Sequence, residues 1–114
     1  MFTVEFYSTE DGKSPVTEFI DKLPTKLHSK TVRAIRFLRE GGNQIKPPYS
    51  MPLGDGLFEL RVKFSSDIVR IIYFYLNGKI IVLTNGFVKK QQKTPRSEIE
   101  LAIKRRKLFM ERNS

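Results

Sequence analysis

The sequence predicts an α+β fold: one small domain over residues 1–114, with elements in the order β-αα-βββ-α and an antiparallel-rich, twisted sheet carrying an αα-hairpin on one face. Two patterns support this class. Apolar residues recur at helical spacing in the N-terminal third, and they alternate with polar residues in the second half, as strands do. An Asn-Gly pair joins two apolar segments there, which is a strong hairpin signal. A chain of 114 residues is the usual size of one domain with one hydrophobic core.

The N-terminal third predicts a short strand and two helices. The strand spans residues 2–7, and Ser14-Pro15 then provides an N-cap and a first helical residue. Pro24 separates this helix from a second one, which runs to about Glu40 before Gly41-Gly42 ends it. The inward stripes of the two helices are Val16, Phe19, Ile20 and Leu23, and then Leu27, Thr31, Ala34, Ile35 and Leu38.

Residues 43–56 contain three prolines and two glycines and predict an irregular connection, of a length that is often functional. Three strands follow it. The first alternates over residues 58–64, the second is the mainly apolar run 68–76, and the third returns from residue 79 to about residue 88. Thr94-Pro95 then predicts the N-cap and the first residue of a C-terminal helix.

Positive charge is concentrated in the second half of the chain. The whole chain has 21 basic and 12 acidic side chains, for a net charge of +9. Residues 1–60 are neutral overall, so the entire excess lies in residues 61–114. An excess of this kind predicts a surface that binds nucleic acid. A basic C-terminal helix exposed to solvent is the alternative explanation for the residues nearest the end.

Several kinds of site are excluded by residue types that are rare or missing. With no cysteine there is no disulfide, iron–sulfur cluster or thiolate nucleophile, and with His28 as the only histidine a conventional zinc site is not expected. We therefore expect no metal and no other cofactor. The N-terminus lacks the apolar core of a signal peptide, and the longest apolar run has nine residues, too few to span a bilayer. A cytoplasmic protein with no membrane partner is predicted.

Turn lengths predict which side chains share a face of the sheet. Two-residue turns at Ser65-Ser66 and Asn77-Gly78 place Arg70 opposite both Arg61 and Asn85. Because alternate residues share a face, one face then carries Arg61, Lys63, Arg70, Asn85, Phe87 and Lys89. The opposite face, expected beneath the αα-hairpin, carries Phe58, Leu60, Val62, Val69, Ile71, Tyr73 and Val82. A three-residue turn at 65–67 would break this alignment.

Two arginines directly opposite each other predict an anion-binding site. Like charges across a strand pair destabilise a sheet, and arginine suits bidentate binding of phosphate. A bound phosphate between Arg61 and Arg70 is the functional interpretation, and neutralisation by Glu59 or Glu98 is the structural alternative. On the functional interpretation, replacing either arginine by alanine abolishes phosphate chemistry and leaves the stability unchanged or higher.

The segment from Gly86 to Pro95 adds three lysines and an aromatic residue just before a helix. Backbone N–H groups at a helix start favour anions, and an aromatic ring among cations suits a stacked RNA base. The RNA-binding residues predicted on the sheet face and in this segment are Lys63, Phe87, Gln92, Lys93 and Thr94.

Four motifs, in this order along the chain, resemble one known family. They are Gly56-Leu57-Phe58-Glu59-Leu60-Arg61, Arg70-Ile71-Ile72-Tyr73-Phe74, Gly86-Phe87-Val88-Lys89-Lys90, and Thr94-Pro95 with Glu98-Ile99 and Ala102. They resemble the phage-related, HigB-like branch of the RelE/ParE toxin superfamily, and the resemblance covers about residues 2–109. The resemblance implies a RelE-like fold and the toxin of a type II toxin–antitoxin system. It also implies an endoribonuclease that cleaves mRNA, in many members on the ribosome, and so inhibits translation.

The resemblance further implies partners and catalytic residues. The protein partner is an antitoxin, commonly of the helix-turn-helix family, and the substrate is mRNA. The matching catalytic positions are Arg61, Arg70, Lys89 and Lys90. Unlike some better-known relatives, the chain has no histidine in the sheet or the C-terminal segment and no C-terminal catalytic tyrosine. Glu59, Glu98 and one of the two lysines are therefore the candidates for the general base, and cleavage without a divalent metal is expected.

Two other functions stay open at the level of the sequence. A ParE-like toxin of the same fold would inhibit a topoisomerase and cut no RNA, because a fold does not determine a function. A non-catalytic RNA-binding module is the other alternative. The paired arginines favour the endoribonuclease, since neither alternative requires that pair.

Overall fold

The computed structural model describes residues 1–89 and 93–113, and it confirms the α+β class. A five-stranded mixed sheet has the strand order β1-β5-β4-β3-β2, in which β1 runs parallel to β5 and every other neighbouring pair is antiparallel. The elements in chain order are β1 (Thr3–Phe6), α1 (Pro15–Asp21), α2 (Thr25–Gly41), a 3-10 turn (Gly42–Gln44), β2 (Ser50–Gly54), β3 (Leu57–Phe64), β4 (Asp67–Leu76), β5 (Ile80–Lys89) and α3 (Arg96–Arg112). No helix among the described residues is long and apolar enough to cross a membrane.

Strand β2 lies in the segment that was predicted to be an irregular connection. It pairs antiparallel with β3 at the edge of the sheet, and Pro52 lies within it. A proline has no N–H to donate, so it is tolerated in a strand only where one side of that strand needs no partner. The edge position therefore explains why a strand forms despite a sequence that predicts none.

The helix starts differ in how they are capped. The hydroxyl of Ser14 accepts a hydrogen bond from the Thr17 N–H at 3.4 Å, which confirms the predicted cap of α1. Thr94 was expected to cap α3 in the same way, and this was wrong. Pro95 occupies the cap position without a side-chain hydrogen bond, because the Thr94 hydroxyl donates to a buried carboxylate instead.

The αα-hairpin and α3 cover opposite faces of the sheet, and each encloses a hydrophobic core. Gly86 of β5 lies directly beneath Phe19, where even an added Cβ atom would come within 2.6 Å of the ring. This glycine therefore allows the close packing of α1 on the sheet. The hairpin-side core contains Val16, Ile20, Leu27, Leu38, Leu60, Val62, Val69, Ile71, Tyr73, Ile81 and Leu83. The α3-side core contains Tyr7, Leu57, Ile72, Phe74, Val82, Phe87, Ala102 and Phe109.

The predicted register between β3 and β4 is confirmed. A two-residue turn at Ser65-Ser66 places Phe64 opposite Asp67 and Arg61 opposite Arg70. Ser65 has a φ of 58°, the left-handed conformation that tight hairpin turns use. The two arginines are therefore neighbours across the strand pair, as the sequence predicts.

The predicted register between β4 and β5 was wrong by two residues. The loop between them has three residues, so Leu76 lies opposite Ile80, and a bulge between Ile72 and Tyr73 adds a second offset. Arg70 is consequently opposite Phe87 and not Asn85. Each offset of one residue moves the side chains of β5 to the other face of the sheet, and two offsets return them. The side chains of residues 85–89 therefore lie on the predicted face. Residues 80–83 lie between the offsets and change faces, which explains why Val82 belongs to the α3-side core.

Thr84 is the extra residue of the bulge, and α3 holds it in place. Its carbonyl accepts a hydrogen bond from the Arg105 guanidinium at 2.9 Å, and its hydroxyl lies 3.0 Å from the carbonyl oxygen of Ile72. The Thr84 carbonyl, which the bulge removes from the regular strand pairing, is therefore satisfied from outside the sheet.

Candidate active site

The carboxylate of Glu59 lies between the two paired arginines. Its Oε1 accepts a hydrogen bond from Nε of Arg61 at 2.7 Å and lies 3.5 Å from a terminal nitrogen of Arg70. Its Oε2 accepts a hydrogen bond from the Thr94 hydroxyl at 2.6 Å. The anion between the arginines in this structure is therefore a carboxylate of the protein, which is the structural alternative that the sequence left open. We call Glu59, Arg61, Arg70 and Thr94 the charged cluster.

Strand geometry and the start of α3 together create the charged cluster. Glu59 and Arg61 are two residues apart on β3 and share a face, and Arg70 is directly opposite Arg61 on β4. Thr94, just before α3, donates its hydroxyl to the remaining carboxylate oxygen. The charged donors on one oxygen and the hydroxyl donor on the other offset the free-energy cost of removing this carboxylate from water.

Burial separates the roles that the two arginines can take. The side chains of Glu59 and Arg70 have no exposed surface, whereas that of Arg61 is 20% exposed. Burial lowers the pKa of Arg70 from its ordinary value, and the attraction of Glu59 acts in the opposite direction. Arg61 is thus the member of the arginine pair whose side chain is partly accessible to another molecule.

Two residues predicted on the same face as Arg61, and the predicted RNA-binding residue Thr94, are buried. Phe87 is only 9% exposed and belongs to the α3-side core, so it presents no open ring for a stacked base. Thr94 is buried with its hydroxyl bound to Glu59. Asn85 is buried and donates to the Glu98 side chain at 2.9 Å and to its carbonyl at 3.2 Å. The sequence predicts α3 as a helix, but its pattern does not indicate which face of the sheet α3 covers.

Exposed lysines surround Arg61 at the end of the sheet. Lys63 and Lys89 lie in one row across the strands with Ile68 between them, next to the row that contains Arg61. Both lysines are exposed, as is Lys93. Arg61, Lys63 and Lys89 form what we call the cationic rim. The other two predicted positions in this region, Lys90 and Gln92, lie outside the described residues.

The two carboxylates considered as general bases both have structural partners. Glu59 is fully buried and accepts hydrogen bonds from the rest of the charged cluster. Glu98 lies in the first turn of α3, where a negative charge complements the helix dipole, and accepts a hydrogen bond from Asn85. His28 is half-buried on α2, with its Nε2 4.0 Å from the Asp21 carboxylate. Within residues 1–89 and 93–113, no group of three His, Cys, Asp or Glu side chains could hold a metal ion.

Part of the basic charge on α3 serves to attach the helix. Arg106 donates to the Asp55 carboxylate at 3.1 Å, and Arg105 donates to the bulge at Thr84. Arg105 and Arg112 also lie over the ring of Tyr7, 5.5 and 5.3 Å from its centroid. Burial lowers the pKa of Arg105, with Tyr7 and Glu98 opposing that shift. These three arginines bind within the protein, whereas Lys104 and Lys107 are exposed.

A groove beside the cationic rim was not indicated by the sequence pattern. It has a volume of about 670 Å³ and lies between α2 and the end of β3. Phe37 and Tyr49 expose more than half of their surface there, and their rings meet edge to face. One feature of the sequence could have indicated this groove: Phe37 places a large apolar ring on the outward, basic face of α2. The lining residues are Lys30, Arg33, Ala34, Phe37, Pro48, Tyr49, Arg61, Val62, Lys63 and Ile68.

Comparison with known proteins places the chain in a family. The family described as phage-derived Gp49-like protein matches residues 18–107, a range that includes the whole charged cluster. The chain is also 27% identical over 104 residues to the probable endoribonuclease HigB1 of Mycobacterium tuberculosis, from strains CDC 1551 and H37Rv. That alignment covers 91% of this chain and 81% of the relative. The predicted resemblance is thereby confirmed: the chain belongs to the Gp49-like family of phage-derived proteins, within the RelE/HigB-like toxins.

Proposed function

We propose that this protein is the toxin of a type II toxin–antitoxin system and a metal-independent endoribonuclease that cleaves mRNA on the translating ribosome. Membership of the Gp49-like family and the endoribonuclease name of the HigB1 relative support the class of function. The observation that carries the proposal is Arg61, a guanidinium held in place by a buried carboxylate and partly exposed among lysines. That arrangement suits binding of an RNA phosphate.

The proposed reaction is an internal transesterification. The 2′-oxygen forms a bond to the adjacent phosphorus while the bond from phosphorus to the 5′-oxygen breaks, which leaves a 2′,3′-cyclic phosphate and a 5′-hydroxyl. A base takes the proton from the 2′-hydroxyl, and an acid gives a proton to the departing 5′-oxygen. Arg61 stabilises the negative charge that accumulates on the phosphorus oxygens in the transition state.

Arg70 supports this chemistry from inside the protein. It has no exposed surface, so in our proposal it acts as a positioning residue that shares Glu59 with Arg61. A guanidinium that is already oriented needs little reorganisation when the transition state forms, which is the basis of electrostatic preorganisation. Phe87 and Thr94 contribute in the same indirect way, by packing under α3 and by holding Glu59.

We assign the proton transfers to Lys89 and Lys90, since Glu59 and Glu98 are held by other groups. Lys63, Gln92 and Lys93 bind the RNA phosphates on either side of the cleaved bond. A surface of this charge also needs a partner that covers it when the toxin is inactive. We propose an antitoxin of the helix-turn-helix family that places acidic and apolar residues over the cationic rim.

The test is cleavage of a defined mRNA by the purified protein, with and without ribosomes, in excess chelator. We expect cleavage that needs ribosomes, persists in chelator and leaves 2′,3′-cyclic phosphate and 5′-hydroxyl ends. Loss of cleavage in chelator would contradict the metal-independent mechanism. Growth arrest with intact mRNA and topoisomerase-linked DNA breaks would move the protein to the ParE-like class.

A further inference from the structure

Two exposed aromatic rings lie side by side next to the cationic rim. Phe37 is 56% exposed on α2, and Tyr49 is 59% exposed just before β2. Their ring centroids are 6.4 Å apart at an angle of 77°. Large apolar side chains that stay exposed as a contiguous patch usually mark a binding surface.

The walls around these rings are basic. Lys30 and Arg33 of α2 and Lys63 of β3 line the groove, and none of the described lining residues is acidic. The Lys30 ammonium also donates to the Lys63 carbonyl at 3.0 Å, which ties α2 to the end of β3. A positively charged groove with aromatic rings fits a chain that has flat bases and regularly spaced negative charges.

The groove is continuous with Arg61. The backbone N–H of Arg61 donates to the Tyr49 carbonyl at 2.9 Å, so the two residues lie on neighbouring backbone segments about 5 Å apart. Arg61 also lines the groove itself. Arg61 and Lys63 belong both to the lining of the groove and to the cationic rim, so a strand bound in the groove lies next to the rim.

We infer that this groove is a binding subsite for single-stranded RNA. One base stacks on the ring of Tyr49 and meets the Phe37 ring edge to face. The phosphates beside it bind Arg33 and Lys30, and the strand continues onto Arg61. The inference rests on the proposed function only in treating this strand as the substrate. The stacking itself needs no cleavage.

The experiment measures binding of a short, fluorescently labelled RNA in which every 2′-hydroxyl is methylated, so that it cannot be cleaved. Tyr49→Leu and Phe37→Leu keep an apolar side chain and remove the ring. Tyr49→Leu is expected to raise the Kd by roughly 5- to 100-fold, the range for one lost base stack. Phe37→Leu removes an edge-to-face contact and is expected to raise the Kd by a smaller factor. Phe6→Leu is the matched control, because Phe6 is an exposed ring on β1 at the opposite edge of the sheet, and it should bind like the wild type.

A polyphosphate without bases separates stacking from charge. Its binding should be unchanged in both ring variants and weaker in Arg33→Gln. Wild-type RNA affinity in both ring variants would overturn the inference. So would ring variants that lose affinity for a peptide of alternating glutamate and leucine but keep it for RNA, since the groove would then be a protein-docking face. Ring-dependent RNA binding in a protein that cuts no unmodified mRNA would support the subsite and contradict the proposed function.

Discussion

Arg61 donates a hydrogen bond from Nε to the Glu59 carboxylate at 2.7 Å, and the two residues are separated by a single residue on β3. Glu59 is fully buried, whereas Arg61 is one-fifth exposed. The carboxylate thus fixes the Nε edge of the guanidinium of a side chain that is partly exposed. The orientation of Arg61 is built into one strand, and this relationship leads to the first three predictions.

Replacing Arg61 by alanine should lower the rate of RNA cleavage by roughly 10²–10³, the usual effect of losing one preorganised donor. The fold should persist, because Glu59 keeps Arg70 and Thr94 as partners. Single-turnover rates and thermal unfolding measure the two effects. Lys79→Ala removes the same charge from the loop at the other end of the sheet and should cleave normally. An Arg61→Ala protein that cuts at the wild-type rate would rule out this role for the residue.

Replacing Arg70 by methionine should destabilise the protein by about 3–5 kcal/mol, because one partner of a buried ion pair is lost. The sequence led to the opposite expectation. Losing either arginine was expected to leave the stability unchanged or higher, because the repulsion between the two like charges is relieved. The double variant with Glu59→Leu and Arg70→Met removes both buried charges and should recover part of the loss. Urea unfolding provides the measurement, with Arg39→Met, an exposed position on α2, as the control. A single variant as stable as the wild type would show that the buried pair contributes nothing.

Thr94→Val should lower the free energy of unfolding by about 2 kcal/mol, since the Glu59 carboxylate loses a hydrogen bond from a buried hydroxyl. Thr94→Ser keeps the hydroxyl and should lose much less. Thr3→Val makes the same change at an exposed site on β1 and should be close to neutral. Equal stability of the Val and Ser variants would show that packing, and not the hydrogen bond, explains the position of Thr94.

Stability should fall in alkali because of two tyrosines on β4. Burial raises the pKa of Tyr73, whose hydroxyl lies 2.5 Å from that of Ser50, and burial beside Tyr73 also raises the pKa of Tyr75. Tyrosine in the unfolded chain ionises near pH ~10, so above that pH unfolding releases protons that the folded protein retains. The stabilising contribution is therefore complete below the unfolded pKa and decreases as the pH rises toward the folded one.

Tyr73→Phe should reduce this alkaline slope by up to ~1.4 kcal/mol per pH unit. The measurement is urea unfolding of both proteins between about pH 8 and pH 11. The comparison uses slopes, because the variant also loses its contact with Ser50 and is less stable at every pH. Identical slopes above about pH 10 would contradict the assignment to Tyr73.

Local patterns predicted much of the fold because they depend on neighbours in the chain. Alternation along β3 and the short turn at Ser65-Ser66 were enough to place Arg61 opposite Arg70. The stripes of α1 and α2 correctly predicted the αα-hairpin and its buried side. The bulge at Thr84 has no such local signal. It depends on Arg105 of α3 satisfying its carbonyl, a contact between residues distant in sequence.

The sequence by itself determined helices α1, α2 and α3, strands β1, β3, β4 and β5, the arginine pair, and the position of Glu59 on the same face as Arg61. Only the tertiary structure decided that Arg70 and Phe87 are buried, that Arg61 is partly exposed and that the ring of Tyr49 is exposed. The physical reason is that α3 packs its apolar side against one face of the sheet, and the alternation of residues along the strands does not specify which face that is. This packing brings the Thr94 hydroxyl onto the carboxylate of Glu59, 35 residues away in the chain. Glu59 and Arg70 are then fully buried and do not face a bound phosphate.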